Sequence, residues 1–179
     1  KTYKSIKFKK KILKFHKSYP PKQANYIVVV GGDGFMLQSI KKNYKYRKPF
    51  YGINCGSYGF LMNKFTNNNL LTKIKKSKKI KINPIKIKAT CLKNTKINLI
   101  AINEVSLFRQ SRQTASIQVK INNRIILQNV IGDGILVSTP AGSTAYNLSA
   151  HGPILNLDSS KLAVTPISPF RPRRWEGTI

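Results

Sequence analysis

The chain has 179 residues, 41% of them hydrophobic, so it can form one medium domain or two small ones around a real core. Its apolar runs fall short of the ~20 residues that span a bilayer. Its two cysteines, Cys55 and Cys91, are too few for a disulfide framework or a zinc site. The composition therefore predicts no membrane partner and a reducing, cytoplasmic location.

The charge balance is strongly basic, with 33 Lys and Arg against 5 Asp and Glu, a net charge of +28. A nucleic acid held through its phosphates is one partner that such a charge suits. The basic residues are spread along the chain, however, and Lys, Ile and Asn, whose codons are A/T-rich, are all abundant. A solvated surface shaped by codon usage is therefore the preferred interpretation. If surface acids have been replaced by lysine over time, the acids that remain should be mainly those with a function. The five that remain are therefore informative: Asp33, Glu104, Asp133, Asp158 and Glu176.

Residues 1–80 read as alternating helices and strands. The predicted elements are an amphipathic helix within residues 7–17, a strand at 26–30, a helix at 35–46, a strand at 50–54 and a helix from a cap at Asn67 to Lys76. The first strand is a continuous run rich in valine, which is typical of a strand buried on both faces of a parallel sheet. This half is therefore predicted to be an α/β domain with an open parallel sheet.

Residues 81–179 have the pattern of an all-β domain. Strand-like segments are predicted at Ile80 to Ile87, 97–108, 117–121, 125–127 and 130–139, with one short helical stretch at 143–150. Asn122 and Asn123 separate two alternating runs and so predict a hairpin turn. The two halves together predict a mixed fold with an α/β part followed by a β-rich part.

The segment Gly31-Gly32-Asp33-Gly34 directly follows the first strand and precedes a helix. Glycines there let the backbone approach a phosphate, and the free N–H groups at the helix start point toward it. The segment matches neither the Walker nor the dinucleotide motif. A carboxylate beside phosphates is repulsive unless it lies next to a cation or accepts a proton, so Asp33 is either a metal-side group or a general base. A tight turn is the structural alternative.

A second Gly-Asp-Gly occurs at residues 132–134, inside a strand pattern where glycine and aspartate are poor strand formers. Small polar side chains follow it in close succession, which suggests a surface that grips a polar, ring-bearing ligand: Ser138, Thr139, Ser143, Thr144, Tyr146, Asn147 and Ser149. A polar loop that caps a short helix through Ser143 is the alternative for part of this segment.

Asn103 and Glu104 interrupt the apolar run at 97–108 and are expected on opposite faces of one strand. Burial without hydrogen-bond partners would cost about 1–3 kcal/mol for each group. A ligand that supplies those partners is the simplest explanation, and pairing with other side chains is the alternative.

With these motifs in order, the sequence resembles the NAD kinase family. The matching segments are GGDG, NE, GDG followed by TPAGSTAYNLSAHGPI, and PISPFRPRRW. The residues around these motifs are similar to those of α-proteobacterial members. The resemblance implies transfer of the γ-phosphoryl group of ATP, with Mg²⁺ or another divalent cation, to the 2′-hydroxyl of the adenosine ribose of NAD, giving NADP. Some family members also use polyphosphate. It further implies an α/β domain followed by a β-sandwich-like domain, assembled as a homodimer or homotetramer.

The resemblance also assigns residues, none of them a metal ligand. Asp33 matches the proton acceptor, and Gly34 matches a residue against the dinucleotide. Asn103 and Glu104 match an NAD-contacting pair, and Asp133 an acidic NAD contact that often crosses a subunit boundary. The pocket around the adenine and its ribose matches Ala141, Thr144, Ala145, Tyr146 and Ser149.

Family members usually continue for several strands beyond the position of Ile179, so the resemblance implies that the β-rich domain is incomplete at its C-terminus. A truncated, inactive kinase is accordingly one alternative. A lipid or sugar kinase of the wider group with a GGDG loop is another, although the Asn-Glu pair and AGSTAY argue against it. The basic nucleic-acid-binding protein is the third.

Overall fold

A computed structural model describes residues 2–57, 59–65, 69–173, 175 and 177–179. Its internal contacts divide the chain into a first unit, residues 1–79, and a second unit, residues 80–179. In the part of the chain that the structure describes, no helix is both long enough and apolar enough to cross a membrane.

The first unit alternates helices and strands as predicted. Its elements are α1 (Tyr3–Phe15), β1 (Ile27–Gly31), α2 (Asp33–Asn43), a 3₁₀ turn (Tyr44–Tyr46), β2 (Phe50–Asn54) and α3 (Leu70–Lys76). The strands are parallel, with Ile27 opposite Phe50 and Gly31 opposite Asn54. This parallel pair, with the antiparallel sheets of the second unit, confirms the predicted mixed fold class.

The two faces of β2 position the helices. Tyr51 and Ile53 point to one face and form a buried cluster with Ile74 of α3. Gly52 faces the other side, where a Cβ atom would lie only 2.7 Å from Cε of Met36 in α2. The missing side chain thus lets α2 lie close to the sheet, and the N-terminus of α2 then lies at the carboxyl end of β1.

Two local predictions in this unit concern the cap of α3 and the burial of β1. The proposed helix cap at Asn67 lies outside the described residues; the residue before α3 is Asn69, whose side chain makes no capping hydrogen bond. In β1 only Val29 is buried, and its neighbours are half-buried. Full burial on both faces was therefore wrong, because β1 is covered less completely than a central strand of a larger sheet.

The second unit is built from antiparallel strands. Its elements are β3 (Ile85–Thr90), β4 (Lys96–Ala101), β5 (Glu104–Phe108), β6 (Ala115–Ile121), β7 (Arg124–Gly132), β8 (Gly134–Ser138), a 3₁₀ turn (Pro140–Gly142), α4 (Tyr146–Ser149), β9 (Ala163–Ile167) and β10 (Gly177–Thr178). A four-stranded sheet has the order β10-β9-β8-β5, and β3-β4 and β6-β7 are two-stranded. Val130, Leu136 and Ala163 are its most deeply buried apolar residues.

The predicted hairpin is confirmed. Asn122 and Asn123 connect β6 to β7 with φ angles of 49° and 64°. Two consecutive positive φ angles are the requirement of the type I′ turn, whose twist matches that of the strands, and Asn tolerates them. The local chemistry of two residues therefore sets the pairing of Ile121 with Arg124 beside the turn, although the register shifts farther along, between Ile117 and Lys120.

Two predicted strand boundaries are wrong. The alternation beginning at Ile80 does not form a strand until Ile85, directly after Pro84, whose nitrogen cannot donate to a ladder. The run at 97–108 is divided into β4 and β5 by a bend at residues 102 and 103. The pairing of β4 with β3 ends at Ala101, and the carbonyl of Asn103 then accepts a hydrogen bond from the backbone N–H of Thr139, at 2.8 Å, in the register of the β5-β8 pair.

Candidate functional site

Asp33 lies at the junction between β1 and α2, as the first residue of the helix. Its carboxylate accepts hydrogen bonds from two backbone N–H groups: Phe60 donates to Oδ2 at 2.8 Å and Leu61 donates to Oδ1 at 3.1 Å. The positive end of the helix dipole also favours a negative charge at this position. The carboxylate is therefore held in one orientation, with each oxygen still able to accept a further hydrogen bond.

The glycines on either side of Asp33 are not required by the backbone or by packing. A Cβ atom at Gly32 or Gly34 would meet nothing within 4 Å. Gly32 is extended, and among the described residues no glycine has a positive φ angle. The segment is thus a strand-to-helix junction rather than the tight turn considered above. The open space leaves the backbone N–H groups at the start of α2 accessible to an anionic ligand.

Asn103 and Glu104 are placed differently from the prediction. Asn103 lies in the bend and Glu104 begins β5, so they are not on opposite faces of a single strand. Both side chains are half-buried, and pairing with other side chains, the alternative considered for them, is not found within the described part of the chain for one oxygen of each. Asn103 Oδ1 and Glu104 Oε2 are both buried, and neither has a hydrogen-bond partner among the described residues. Burial also raises the pKa of Glu104 above its ordinary value of 4.5.

The second Gly-Asp-Gly has a packing explanation that the sequence did not reveal. A Cβ atom at Gly132 would lie 2.9 Å from the carbonyl oxygens of Ile167 and Ser168, and one at Gly134 would overlap the carbonyl of Leu107. Close approach of neighbouring backbone therefore requires both glycines. The prediction that folding does not favour glycine here was wrong, because strand propensity takes no account of the neighbouring strands.

Asp133 connects β7 to β8 and is already paired. Its Oδ1 accepts a hydrogen bond from Nε of Arg109 at 2.6 Å, and both side chains are about one-third exposed. The backbone N–H of Arg109 also donates to the Asp133 carbonyl, at 2.9 Å. A ligand that contacts Asp133 therefore meets an ion pair and not a lone carboxylate.

The polar segment at 138–149 is largely internal. The buried side chains in it are Ser138, Thr139, Ser143 and Asn147. Thr139 Oγ1 donates to the carbonyl of Ile102 at 2.6 Å, and Asn147 Nδ2 donates to two carbonyls, those of Ser143 and Pro153, at 3.0 and 2.9 Å. The interpretation of these four as ligand-gripping groups was wrong, because their hydrogen bonds stabilise the loop itself. Ser143 likewise does not cap α4, which follows Ala145 without a side-chain cap.

The remaining residues of this segment lie closer to the surface. Ala141 is buried, Thr144 and Ala145 are half-buried, and Tyr146 and Ser149 are exposed. The Tyr146 ring lies nearly parallel to that of Phe108, with centroids 6.4 Å apart. At the other end of β5 the loop is in tight contact with the bend, since a Cβ atom at Gly142 would overlap the Asn103 carbonyl.

The predicted residues thus fall into two groups. Asp33 and Gly34 belong to the first unit. The second unit brings Asn103 and Glu104 together with the loop at 139–142, and it brings Asp133 close to the opposite end of β5. Sequence reasoning missed two residues here, Phe108 and Arg109. Phe108 is the last residue of β5 and Arg109 directly follows it, and their only signal was an aromatic and a basic residue in a row.

Comparisons with known proteins agree on one family. A family model described as the ATP-NAD kinase C-terminal domain matches residues 102–174. The NAD kinase of Zymomonas mobilis is 45% identical over 99% of this chain and 70% of its own length. The NAD kinase of Caulobacter vibrioides is 48% identical over 89% of this chain and 61% of its own length. The chain therefore spans between about three-fifths and seven-tenths of these relatives.

The fold is similar to that of a solved structure. The NAD kinase from Archaeoglobus fulgidus in complex with ATP superimposes with a TM-score of 0.71, although its sequence is only 22% identical; the match covers 100% of this chain and 73% of that one. Sequence similarity over nearly the whole chain and a shared fold lead to the same conclusion. The chain belongs to the NAD kinase family, a family of phosphotransferases.

Proposed function

We propose that this protein is an NAD kinase that transfers the γ-phosphoryl group of ATP to the 2′-hydroxyl of the adenosine ribose of NAD. The observation that carries the proposal is the pair of buried acceptors, Asn103 Oδ1 and Glu104 Oε2, without partners among the described residues. Two neighbouring acceptors need two hydrogen-bond donors, which the hydroxyls of a ribose supply. A carboxylate that accepts from ribose hydroxyls is a recurring device in dinucleotide recognition.

Asp33 is the proposed general base. The 2′-hydroxyl oxygen attacks the γ-phosphorus, the bond from that phosphorus to the β-γ bridging oxygen breaks, and ADP leaves with the bond electrons. The hydroxyl proton passes to the Asp33 carboxylate. A positioned base contributes roughly 10²–10⁴-fold to such a step. The two backbone N–H groups that hold the carboxylate support this role, since they fix its orientation without consuming all its acceptor capacity.

The start of α2 is the proposed phosphate-facing surface. The unfilled space at Gly32 and Gly34 supports close approach of ligand to backbone there, with Gly34 against the dinucleotide. Mg²⁺ commonly binds through one or two carboxylates and substrate phosphates, and Asp33 is the only acidic residue in positions 1–79. These residues are compatible with Mg²⁺ that arrives on ATP, where it would neutralise phosphate charge. Polyphosphate is the alternative donor.

The second unit is the proposed NAD-binding domain, corresponding to the expected division into residues 1–80 and 81–179. Alongside Asn103 and Glu104, the proposed contacts to the dinucleotide are Asp133, Ala141, Thr144, Ala145, Tyr146 and Ser149. A homo-oligomer also belongs to the proposal, supported by large exposed apolar side chains on the β3-β4 and β6-β7 hairpins, such as Leu99 (57% exposed) and Ile125 (50%). A cytoplasmic location is proposed from the cysteine usage.

The direct test is NADP formation from NAD by the purified 179-residue chain with ATP and Mg²⁺, followed by coupling to an NADP-specific dehydrogenase. We expect product that depends on all three components. Parallel reactions with a diacylglycerol and with sugar phosphates address the rival kinase activities, which the family relationship does not favour. The proposal would be wrong for this chain if a folded preparation formed no NADP.

Glu104 should make both stability and NAD binding depend on pH. Well below pH 4.5 the carboxyl is neutral in the folded and the unfolded chain, so its burial carries no charge penalty. As the pH rises through the raised pKa of the folded state, the charged form is buried and this part of the stability is lost. We expect Glu104→Gln to gain stability relative to wild type between pH 4 and pH 8 in urea unfolding, while it binds NAD more weakly at pH 8.

Asn103→Ala is the matched control for Glu104→Gln. It removes the other unpartnered acceptor without removing a charge, so it should weaken NAD binding but leave the pH dependence of unfolding unchanged. If Glu104→Gln and wild type lost stability equally as the pH rises, Glu104 would not be the buried titrating group.

A further inference from the structure

Phe108 is an exposed aromatic residue at the end of β5, and the proposed reaction gives it no role. Its side chain is 48% exposed, and that of the neighbouring Tyr146 is 37% exposed. The ring planes differ by only 13°, with centroids 6.4 Å apart. Two nearly parallel, partly exposed rings offer apolar ring faces of the kind on which planar heterocycles stack.

We infer that Phe108, together with Tyr146, binds one of the two planar bases of the dinucleotide. The inference rests on the proposed function and extends it to a residue that the family motifs did not assign. It concerns recognition of NAD and not the chemical step, because Phe108 carries no group that can exchange a proton.

The position of Phe108 on its strand supports this role. Side chains alternate along a strand, so Glu104, Ser106 and Phe108 share one face of β5. Glu104, with its unpartnered oxygen, begins the strand, and Phe108 ends it about 13 Å away. A ligand that satisfies the Glu104 carboxylate can therefore extend along the same face to the aromatic rings.

The neighbouring strand leaves the Phe108 ring uncovered. Phe108 pairs with Gly134 of β8, which has no side chain. Gly134 is required there by the close approach of the Leu107 carbonyl. The same geometry allows a purely structural role, in which the ring covers the glycine backbone. If the role is structural, Phe108→Ala should lose stability while its affinity for NAD is unchanged. If the role is in binding, the variant should lose affinity for NAD while its stability is unchanged.

Leu107 provides a matched control one residue away. It is 60% exposed and lies on the opposite face of β5. Leu107→Ala therefore removes a similarly exposed apolar side chain from the same strand without touching the aromatic surface. Phe108→Tyr keeps the flat aromatic ring. Phe108→Leu keeps most of the apolar volume but has no flat ring.

The experiment measures equilibrium binding of NAD, ADP-ribose, nicotinamide mononucleotide and ATP to the wild type and these variants, with urea unfolding of each. We expect Phe108→Ala to raise the Kd for NAD about 3- to 10-fold, the range that corresponds to a stacked aromatic pair. Phe108→Leu should show a smaller loss in the same direction, while Phe108→Tyr and Leu107→Ala stay close to wild type. The Kd for ATP should not change.

Each outcome bears on a different claim. Weakened binding of ADP-ribose identifies the stacked base as adenine, and weakened binding of nicotinamide mononucleotide identifies it as nicotinamide. A wild-type chain that binds NAD with the same Kd as folded Phe108→Ala overturns the inference and leaves the proposed function intact. A folded wild-type chain that binds no NAD overturns both.

Discussion

Asp33→Asn should reduce the turnover of NAD phosphorylation by at least ~100-fold while NAD binding stays largely intact. The amide cannot accept the proton of the attacking 2′-hydroxyl, so the step loses its general base. The measurement is kcat and the Kd for NAD in the purified variant, under conditions where urea unfolding shows that it is folded. Near-normal turnover would contradict the general-base role.

The structure shows why this variant needs a stability measurement. Phe60 and Leu61 each donate a backbone N–H to a different oxygen of Asp33. An asparagine has only one acceptor oxygen, so one of the two N–H groups would face an amide that also donates. Leaving such a group unsatisfied costs about 1–3 kcal/mol. We therefore expect Asp33→Asn to be less stable as well as less active.

Asn63→Ala separates the two effects. Asn63 Nδ2 donates to the Gly52 carbonyl at 3.1 Å and so stabilises the segment that contains Phe60 and Leu61. Its removal should loosen this segment while the carboxylate remains. A kcat for Asn63→Ala within a few-fold of wild type would leave the loss in Asp33→Asn to the missing base. An equal loss in both variants would instead assign it to the displaced loop.

Asp33 also shows what the sequence could and could not predict. Its place between a strand and a helix followed from the local pattern, and the parallel pair β1-β2 followed from the alternation around it. Its hydrogen bonds to residues 27 and 28 positions later did not, because they depend on how the chain returns. Retention of an acid among so many lysines therefore has a structural reason beside the proposed chemical one.

The two glycine-rich motifs also differ in a way that the local sequence does not reveal. GGDG and GDG look alike in sequence, yet Cβ atoms would meet nothing at Gly32 and Gly34 and would collide with backbone at Gly132 and Gly134. Only the neighbouring strands distinguish a glycine that leaves space for a ligand from one that fits a crowded sheet. The hairpin turn at Asn122 and Asn123, by contrast, was predictable because two adjacent residues determine it.

The Asn103-Glu104 pair falls between these cases. Its need for hydrogen-bond partners followed from two polar residues in an apolar run. Its placement across a bend, and not on two faces of a strand, depends on the Thr139 N–H, which comes from a segment 36 positions later. The need for hydrogen-bond partners could therefore be predicted from the local sequence, whereas the position of the pair depends on a distant part of the chain.

The same bend gives the second large effect. Gly142→Ala should destabilise the second unit by on the order of 1–3 kcal/mol and weaken NAD binding at least tenfold. The added Cβ would lie 2.6 Å from Cα of Asn103 and closer still to its carbonyl. Since these are backbone atoms, the bend itself must move, and the unpartnered Asn103 and Glu104 oxygens move with it. Urea unfolding and equilibrium NAD binding measure the two losses.

Gly34→Ala is the control for adding the same methyl group elsewhere. Gly34 lies in the first turn of α2, where a Cβ atom meets nothing within 4 Å. Replacing a helical glycine by alanine removes backbone freedom from the unfolded chain, so stability should stay the same or rise by up to ~1 kcal/mol. Its NADP formation should nevertheless fall, because the methyl group enters the space proposed for the dinucleotide. A Gly142→Ala variant as stable as wild type would show that the loop and the bend are not in the tight contact described. A Gly34→Ala variant that forms NADP as fast as wild type would remove Gly34 from the proposed site.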